Sequence, residues 1–443
     1  MDKRQKTYYV GHILTRPVRR AVMVTLWVAF FIICPSIILY TAGYRYDFKT
    51  HQIKQTGVLS VDVEPRDVTV MLNNIQIEKQ IPIRLANRAP GTYALKIERP
   101  GYKTWERDIV IESNNTTYIK GIILIKDALP IRILDSTENI VSVHGHNDTL
   151  LILKKINEFY ELHALNTLNN VDTLIYRTPN TEMPIIEVSP YTPLAYSRLH
   201  SRDRDTLYLI SLTNPENTTI TSINKKTKLT WNAISTAEPL YKQENNQISI
   251  LSATRPERQI TAVSSSVWYR DEQGDIWEAE GSTIQNTKNR TTYSLPDAVD
   301  SIIHINNSRI IAIHADKTMV VELNNGNTES IQTINGTTAY YNRRTQEWLV
   351  WSEWELSSIY PDGGVSLLNR SGEKIQNVSL LDANGVILLA TEKELSAFNP
   401  GYYVRHHLVA ADTYTFISAN TTRRTLYFFG RFAERPGIYS LDY

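Results

Sequence analysis

Two histidine pairs, a scatter of carboxylates and a run of tryptophans are the residues whose types and spacing could do chemistry in this chain. His144 and His146 stand two apart in an alternating segment, so a strand would turn both imidazoles to one face, as a metal site would want; no third ligand lies within sequence reach. His406 and His407 are adjacent and would face opposite ways. Glu353, Glu355, Asp362, Asp271 and Asp275 could supply the paired carboxyls of glycosidic cleavage if a fold gathered them round a channel. The run Asp271-Glu-Gln-Gly-Asp275 is more simply a solvated hairpin turn between Val267-Trp268 and Ile276-Trp277. Trp348 and Trp354 share a strand parity and Trp351 opposes them, which suits a sheet packed on both faces; a carbohydrate platform is the second reading. Arg198, Arg202, Asp203, Arg204 and Asp205 read as a solvated hairpin tip.

Motifs with a fixed mechanism are missing. There is no Gly-x-Ser-x-Gly elbow, no His-Glu-x-x-His, and no phosphate-binding glycine loop, since Gly363-Gly364 follows Asp362 as a turn. The one cysteine, Cys34, rules out an intrachain disulfide and a cysteine-built zinc site. Lys and Arg total 47 against 46 Asp and Glu, a net charge of +1, which gives no electrostatic reason to expect nucleic acid. Asn-x-Ser/Thr triplets such as Asn115-Thr-Thr, Asn335-Gly-Thr and Asn420-Thr-Thr arise by chance in a chain rich in Asn and Thr. The expectation is a protein that is not an enzyme, with no catalytic, metal or cofactor residue assigned and its ligand-binding residues unknown.

The elements that must position any site come next. At 443 residues the chain holds roughly three domains' worth of material. Residues 21–42 carry no charge, enough for a helix to cross a ~30 Å hydrocarbon layer. Lys3, Arg4, Lys6, Arg16, Arg19 and Arg20 precede them against Asp2 alone, so residues 1–20 are expected as a cytoplasmic basic tail. The remainder is then extracytoplasmic. A cleaved signal peptide, with Thr41-Ala42-Gly43 as its small-residue site, competes with this anchor, but the apolar run exceeds the usual ~7–15 residues. Cys34 follows the bulky Ile33 inside the apolar run, which argues against lipidation. Pro35 is expected to be structural, a kink that a membrane helix tolerates.

After a linker at 43–56, residues 57–125 read as a small strand-rich sandwich. Leu59 to Val63 alternates at period two, Glu64-Pro65-Arg66-Asp67 turns, Val68 to Leu72 repeats the pattern and Asn73-Asn74 turns it back. Pro90-Gly91 and Pro100-Gly101 punctuate further strands at Tyr93–Arg99, Arg107–Ile111 and Tyr118–Leu124. The segment resembles the PEGA domain family through Gly57-Val58-Leu59-Ser60-Val61, Ile81-Pro82-Ile83, Ala89-Pro90-Gly91-Thr92-Tyr93 and Gly101-Tyr102-Lys103-Thr104-Trp105. It departs from the family where Ile81-Pro82 replaces a Thr-Pro pair and Ala-Pro-Gly-Thr replaces Pro-Glu-Gly-Ala. The resemblance implies a non-catalytic, extracytoplasmic module with no defined ligand. Tyr102 and Trp105 are expected as core plugs of the sandwich.

From residue 129 the chain repeats. Alternating apolar motifs end at Asn166, Leu212, Glu280, Leu323, Tyr360, Asn399 and Asp442, separated by 46, 68, 43, 37, 39 and 43 residues. That period fits the ~40–50 residues of a four-stranded propeller blade. Seven blades are expected over 129–443, each motif being a third strand. The 68-residue gap is read as an inserted loop through the polar stretches Asn224–Lys228 and Lys242–Asn246. The stretch 129–135 is expected to pair with the C-terminal strand and close the ring, because an unpaired edge is a liability. Val267–Trp277 and Asn369–Ile375 are similar to TolB-like extracytoplasmic propellers, which implies architecture rather than activity.

The expected whole is an all-β protein with one N-terminal transmembrane helix. It is a single-pass, N-in binding or scaffold protein of the bacterial cell envelope, held in the lipid bilayer by residues 21–42. Its propeller loops would recognise a protein or polysaccharide partner, with no nucleic acid and no cofactor. The alternatives are an envelope glycan-processing enzyme with carboxylates at the channel, or a sensor relaying to a cytoplasmic partner.

Overall fold

The computed structural model describes residues 16–47, 51–135, 139–324, 327–382, 384–410 and 413–443. The expected basic positions Lys3, Arg4 and Lys6 lie outside the described residues. The chain divides into two compact units, Met1–Leu124 and Ile125–Tyr443.

The first unit opens with the helix Arg16–Thr41. Its segment Pro17–Thr41 contains an 18-residue stretch with a mean hydropathy of 2.6, no residue of which is buried in the protein. Leu26, Trp27, Phe30 and Ile37 are all exposed, and the Trp27 and Phe30 rings meet the neighbouring Phe31 ring of the same helix. The polar side chains inside it are satisfied locally: Thr25 Oγ1 donates to the Ala21 carbonyl at 2.9 Å and Ser36 Oγ to that of Ile32 at 2.7 Å. Gly43, at φ +84°, ends the helix in the left-handed conformation that glycine adopts most easily. The strands Tyr44–Asp47 and Gln52–Gln55 then pair as a hairpin inside the stretch expected as linker.

The sandwich that follows has two sheets. Gly57–Glu64 runs antiparallel to Ile83–Arg88 and parallel to Thr116–Ile123. Thr69–Leu72, Gly91–Glu98 and Trp105–Ile111 form the other sheet with the short strand Ile75–Gln76. Leu59, Val61 and Val63 alternate inward, as period-two spacing requires, and Trp105 is 2% exposed, a core plug as expected. Tyr102 lies under the Arg99 guanidinium, 4.5 Å from ring centroid to Cζ.

The second unit is a β-propeller. Among the described residues it contains eight four-stranded antiparallel sheets. In chain order the blades span 140–179, 185–223, 228–262, 267–294, 301–335, 338–370, 375–410 and 413–442. The eighth is completed by Ile131–Asp135, which pairs antiparallel with Arg435–Asp442 as the outer strand. Consecutive blades share apolar clusters all the way round. Leu153 and Ala195 pack between the first and second, Leu207 and Leu240 between the second and third, and Tyr427 and Ile152 between the eighth and the first. Because each sheet is covered on both faces, its second strand is a near-continuous apolar run. Ile387–Thr391 is buried at every position, whereas the outer strand Asn327–Asn335 is exposed except at Ile334.

The all-β class with one N-terminal helix is what the structure has, but the blade count is eight rather than seven. The 68-residue gap holds a whole further blade, 228–262, and not an inserted loop. Its second and third strands, Leu240–Glu244 and Gln247–Leu251, are joined at Asn245 and Asn246, both at positive φ, which is the two-residue hairpin geometry that asparagine tolerates. Lys242 looked like a loop residue because it is charged. It is 7% exposed, with Nζ 2.5 Å from Glu257 Oε1 and 3.4 Å from Glu244 Oε2. The Asp275–Glu280 motif also differs from the expectation, since Ile276–Glu280 is the second strand of its blade, not the third.

Candidate functional site

The first strand of each blade faces the centre of the ring, and the centre is not one open channel. The turn around Ser189–Pro193 of the second blade and the loop Asn232–Pro239 of the third reach the sixth blade, which lies opposite the second in a ring of eight. The Tyr191 ring stacks on Tyr340 with centroids 5.5 Å apart and planes at 27°. The Tyr341 amide donates to Tyr191 Oη at 3.2 Å. Arg343 donates Nη1 to the Tyr191 carbonyl at 3.0 Å and Nε to the Ala233 carbonyl at 2.7 Å. This strut parts the centre into two cavities that share Pro190, Ala339 and little else.

The cavity between the second and sixth blades on one side has a volume of about 340 Å³ and is aromatic, with Trp231, Tyr241, Trp268, Tyr269 and Trp348 in its wall. Its polar groups are mostly spent on one another. Trp268 Nε1 donates to Gln243, Asn232 Nδ2 donates to Tyr241 Oη, and Tyr269 Oη meets His304 Nδ1 at 3.1 Å. Burial pushes the Tyr269 hydroxyl far up and Tyr241 to about 12, so both hydroxyls stay neutral.

The other cavity, about 620 Å³, is bounded by blades six, seven, eight, one and two. His144 and His146 lie side by side on the strand Ile140–His146 and line it together with Ser189, Asn377, Ser379 and Ser418. Burial lowers both imidazoles below their ordinary value, and at His146 a bond to the Ser189 backbone works against that shift. The structure thus brings the first histidine pair to one cavity, and among the described residues no group of three or more His, Cys, Asp or Glu stands close enough to hold a metal. Sequence reasoning missed Asn377, Ser379 and Ser418, which are ordinary strand residues until the ring gathers them.

The other candidates scatter. His407 Nδ1 bonds Glu394 at 3.1 Å on the seventh blade's outer strand Val404–Ala410, which also carries His406. Glu355 is held by Arg370 and Asn335, Glu353 by Lys374, and Asp362 Oδ1 accepts from the Gly364 amide in a turn. Asp271 and Asp275 form the expected hairpin turn, but Asp271 Oδ2 also takes the Trp277 indole proton at 2.8 Å and Asp275 pairs with Lys288. Neither central cavity is lined by a carboxylate among the described residues. Trp348 and Trp351 fill opposite faces of the sixth blade, while Trp354 stands in the following turn, 47% exposed, and packs no neighbour sheet. The tip itself, residues 200–204, is exposed as expected, but Arg198 and Asp205 at its base are not. Asp205 is wholly buried against Arg198 Nε at 2.7 Å, because the guanidinium also clamps the carbonyls of Thr227, Asn224 and Lys225 on the way into the third blade.

The fold therefore defines a helix-bearing, all-β protein with an eight-bladed propeller whose centre is divided. Residues 56–123, the sandwich, match the PEGA domain. No curated protein matches the sequence. Among solved structures, an uncharacterised protein of Listeria monocytogenes EGD-e is 15% identical, covering 66% of this chain and 100% of its own, with a TM-score of 0.41. The β-propeller domain of Cps50 (Swd1) from Myceliophteria thermophila is 10% identical over 71% of this chain and 100% of its own, TM-score 0.40. Hsv2 of Kluyveromyces lactis is 13% identical over 60% and 96%, TM-score 0.36.

Proposed function

We propose that this protein is a single-pass, membrane-anchored binding or scaffold protein of the bacterial cell envelope. Its amino terminus is cytoplasmic, and its sandwich and propeller are extracytoplasmic. The observation that carries the reading is the helix Pro17–Thr41, uncharged from residue 21 onward and with no residue of its apolar stretch buried in the protein, as a lipid-facing helix should be. Arg19 and Arg20 at its start keep that end inside. The sandwich acts as a spacer, and the propeller presents loops and a divided centre to a protein or polysaccharide partner. Its mechanism is display: no bond is broken.

The test is a full-length chain with a tag at each end. Protease added to intact cells should remove the C-terminal tag and spare the N-terminal one, and the anchored remnant should stay in the membrane fraction after high-salt washing. A C-terminal tag protected in intact cells, or a mature chain beginning after Ala42, would overturn the anchor.

A further inference from the structure

We propose that the larger central cavity is a binding site for an uncharged saccharide. It rests on reading the propeller as the binding part of the protein and adds the ligand's class and location.

Four observations lead there. The cavity, about 620 Å³, lies within the ~300–1,000 Å³ of small-molecule sites. Its lining contains no Asp, Glu, Lys or Arg among the described residues, and burial keeps His144 and His146 in their neutral form. A charged ligand entering it would lose its hydration without meeting a counter-charge. Part of its hydrogen-bonding capacity is also unspent, although His146, Ser189 and Ser418 bond within the protein. The side chains of His144, Asn147, Asn377 and Ser379 make no hydrogen bond to another described residue, in contrast to the aromatic cavity, where the polar groups are paired internally. A purely apolar ligand would strand those donors and acceptors. Finally, Tyr340, Trp351 and Phe416 add flat apolar surface among them. Neutral donors and acceptors on several sides, with aromatic rings between, complement a ring that carries hydroxyls round its edge and C–H groups on its faces. The strut at Tyr191 and Arg343 supports this by shutting the cavity off from the aromatic one, so that a ligand meets one kind of wall.

The experiment uses the full chain in lipid nanodiscs, free of sugar detergents. Cellotetraose, maltotetraose and tetra-N-acetylchitotetraose are titrated by calorimetry, with tetragalacturonate as the anionic counterpart. At least one neutral oligosaccharide should bind saturably and tetragalacturonate should not. Asn377→Ala with Ser379→Ala should weaken that binding by about tenfold or more, since each removes a bond to the ligand. Ser379→Trp, which fills the cavity, should abolish it, and Thr230→Val in the aromatic cavity should leave it unchanged. Absence of binding by all three neutral sugars, equal affinity for tetragalacturonate, or binding that survives Ser379→Trp in a chain with unchanged melting overturns the inference. A chain that crosslinks to an envelope protein through its loops yet binds none of the sugars loses this inference and keeps the function proposed above. A protected propeller in intact cells overturns that function whatever the sugars do.

Discussion

Arg343, in the hairpin after the first strand of the sixth blade, donates to the carbonyl of Tyr191, which belongs to the opposite second blade, at 3.0 Å. An eight-bladed ring is wide enough at its centre to admit water between blades four apart, and here two loops and one guanidinium occupy that space instead. Burial lowers the Arg343 pKa, while the electron-rich rings and hydroxyls of Tyr191, Tyr340 and Tyr341 act the other way. The guanidinium stays charged, and its fork is spent on backbone carbonyls, with the Tyr191 ring centroid 5.2 Å from Cζ.

Removing that fork should be costly. Arg343→Ala leaves the Tyr191 and Ala233 carbonyls without their donors, at about 1–3 kcal/mol for each group that water does not reach. Arg343→Lys should recover less than half of the loss, because one ammonium cannot span two diverging carbonyls as a planar fork does. Urea denaturation of the three proteins checks this, and equal stability of the Lys variant and the parent would contradict it.

A second buried cation makes a parallel case at the passage from the second blade to the third. Burial works against the Asp205 charge, but the Arg198 hydrogen bond, the Ser201 amide and the charges of Arg198 and His200 together hold its carboxyl below the usual value. Asp205→Ala strands Arg198, whose side chain is 13% exposed, and should cost about 3–5 kcal/mol. Replacing both residues should cost less than the sum of the single changes. Strict additivity in that double-mutant cycle would mean the pair is not coupled.

How far the sequence could be read follows from what each residue's chemistry advertises. Period-two alternation at Leu59–Val63 and the third strands of the first, second, fifth, sixth, seventh and eighth blades was visible because their inward positions are apolar. The third blade was hidden because Lys242, its charge paired with the exposed Glu257, is buried in a strand where an apolar residue is expected, and charge in a sequence looks the same whether paired or solvated. Asp205 was misjudged for the same reason. His144 and His146 could be placed on one face from their spacing, but Asn377, Ser379 and Ser418 come from blades remote in sequence. Only closure of the ring, a property of the blade count, puts them at one cavity.

That closure makes Gly437 a point of leverage. It pairs with Asp135 where the outer strand meets the C-terminal one, and a Cβ built on it would lie 2.6 Å from the Leu134 carbonyl oxygen. Backbone cannot yield as a flexible side chain would, so Gly437→Ala should separate the two strands and cost about 1–3 kcal/mol. Amide exchange checks the location of the effect. Protection should fall first across 131–135 and 437–440 and not in the fourth blade, and a loss spread evenly round the ring would be against it.

The pH dependence of stability should be set in part by His304. It is 7% exposed, with Nδ1 3.1 Å from Tyr269 Oη and Nε2 3.1 Å from Asn306 Nδ2. An imidazole that gives its Nδ1 proton to Tyr269 and accepts from the Asn306 amide at Nε2 satisfies both contacts in its neutral form. Burial, reinforced by the Arg309 charge, lowers its pKa from 6.5 to about 4. The unfolded chain therefore takes up a proton as pH falls below about 6.5 while the folded one resists until about 4. Stability is complete above that window and drains away through it, by about 3 kcal/mol for this group alone. His144 and His146, also lowered by burial, push the same way. Buried carboxylates such as Asp205 add an acid loss of their own, so the informative quantity is a difference. Between pH 7.5 and 4.5 the parent should lose more urea-unfolding free energy than His304→Gln, which has nothing to titrate there, and parallel profiles for the two would show that the imidazole is not held neutral by the fold.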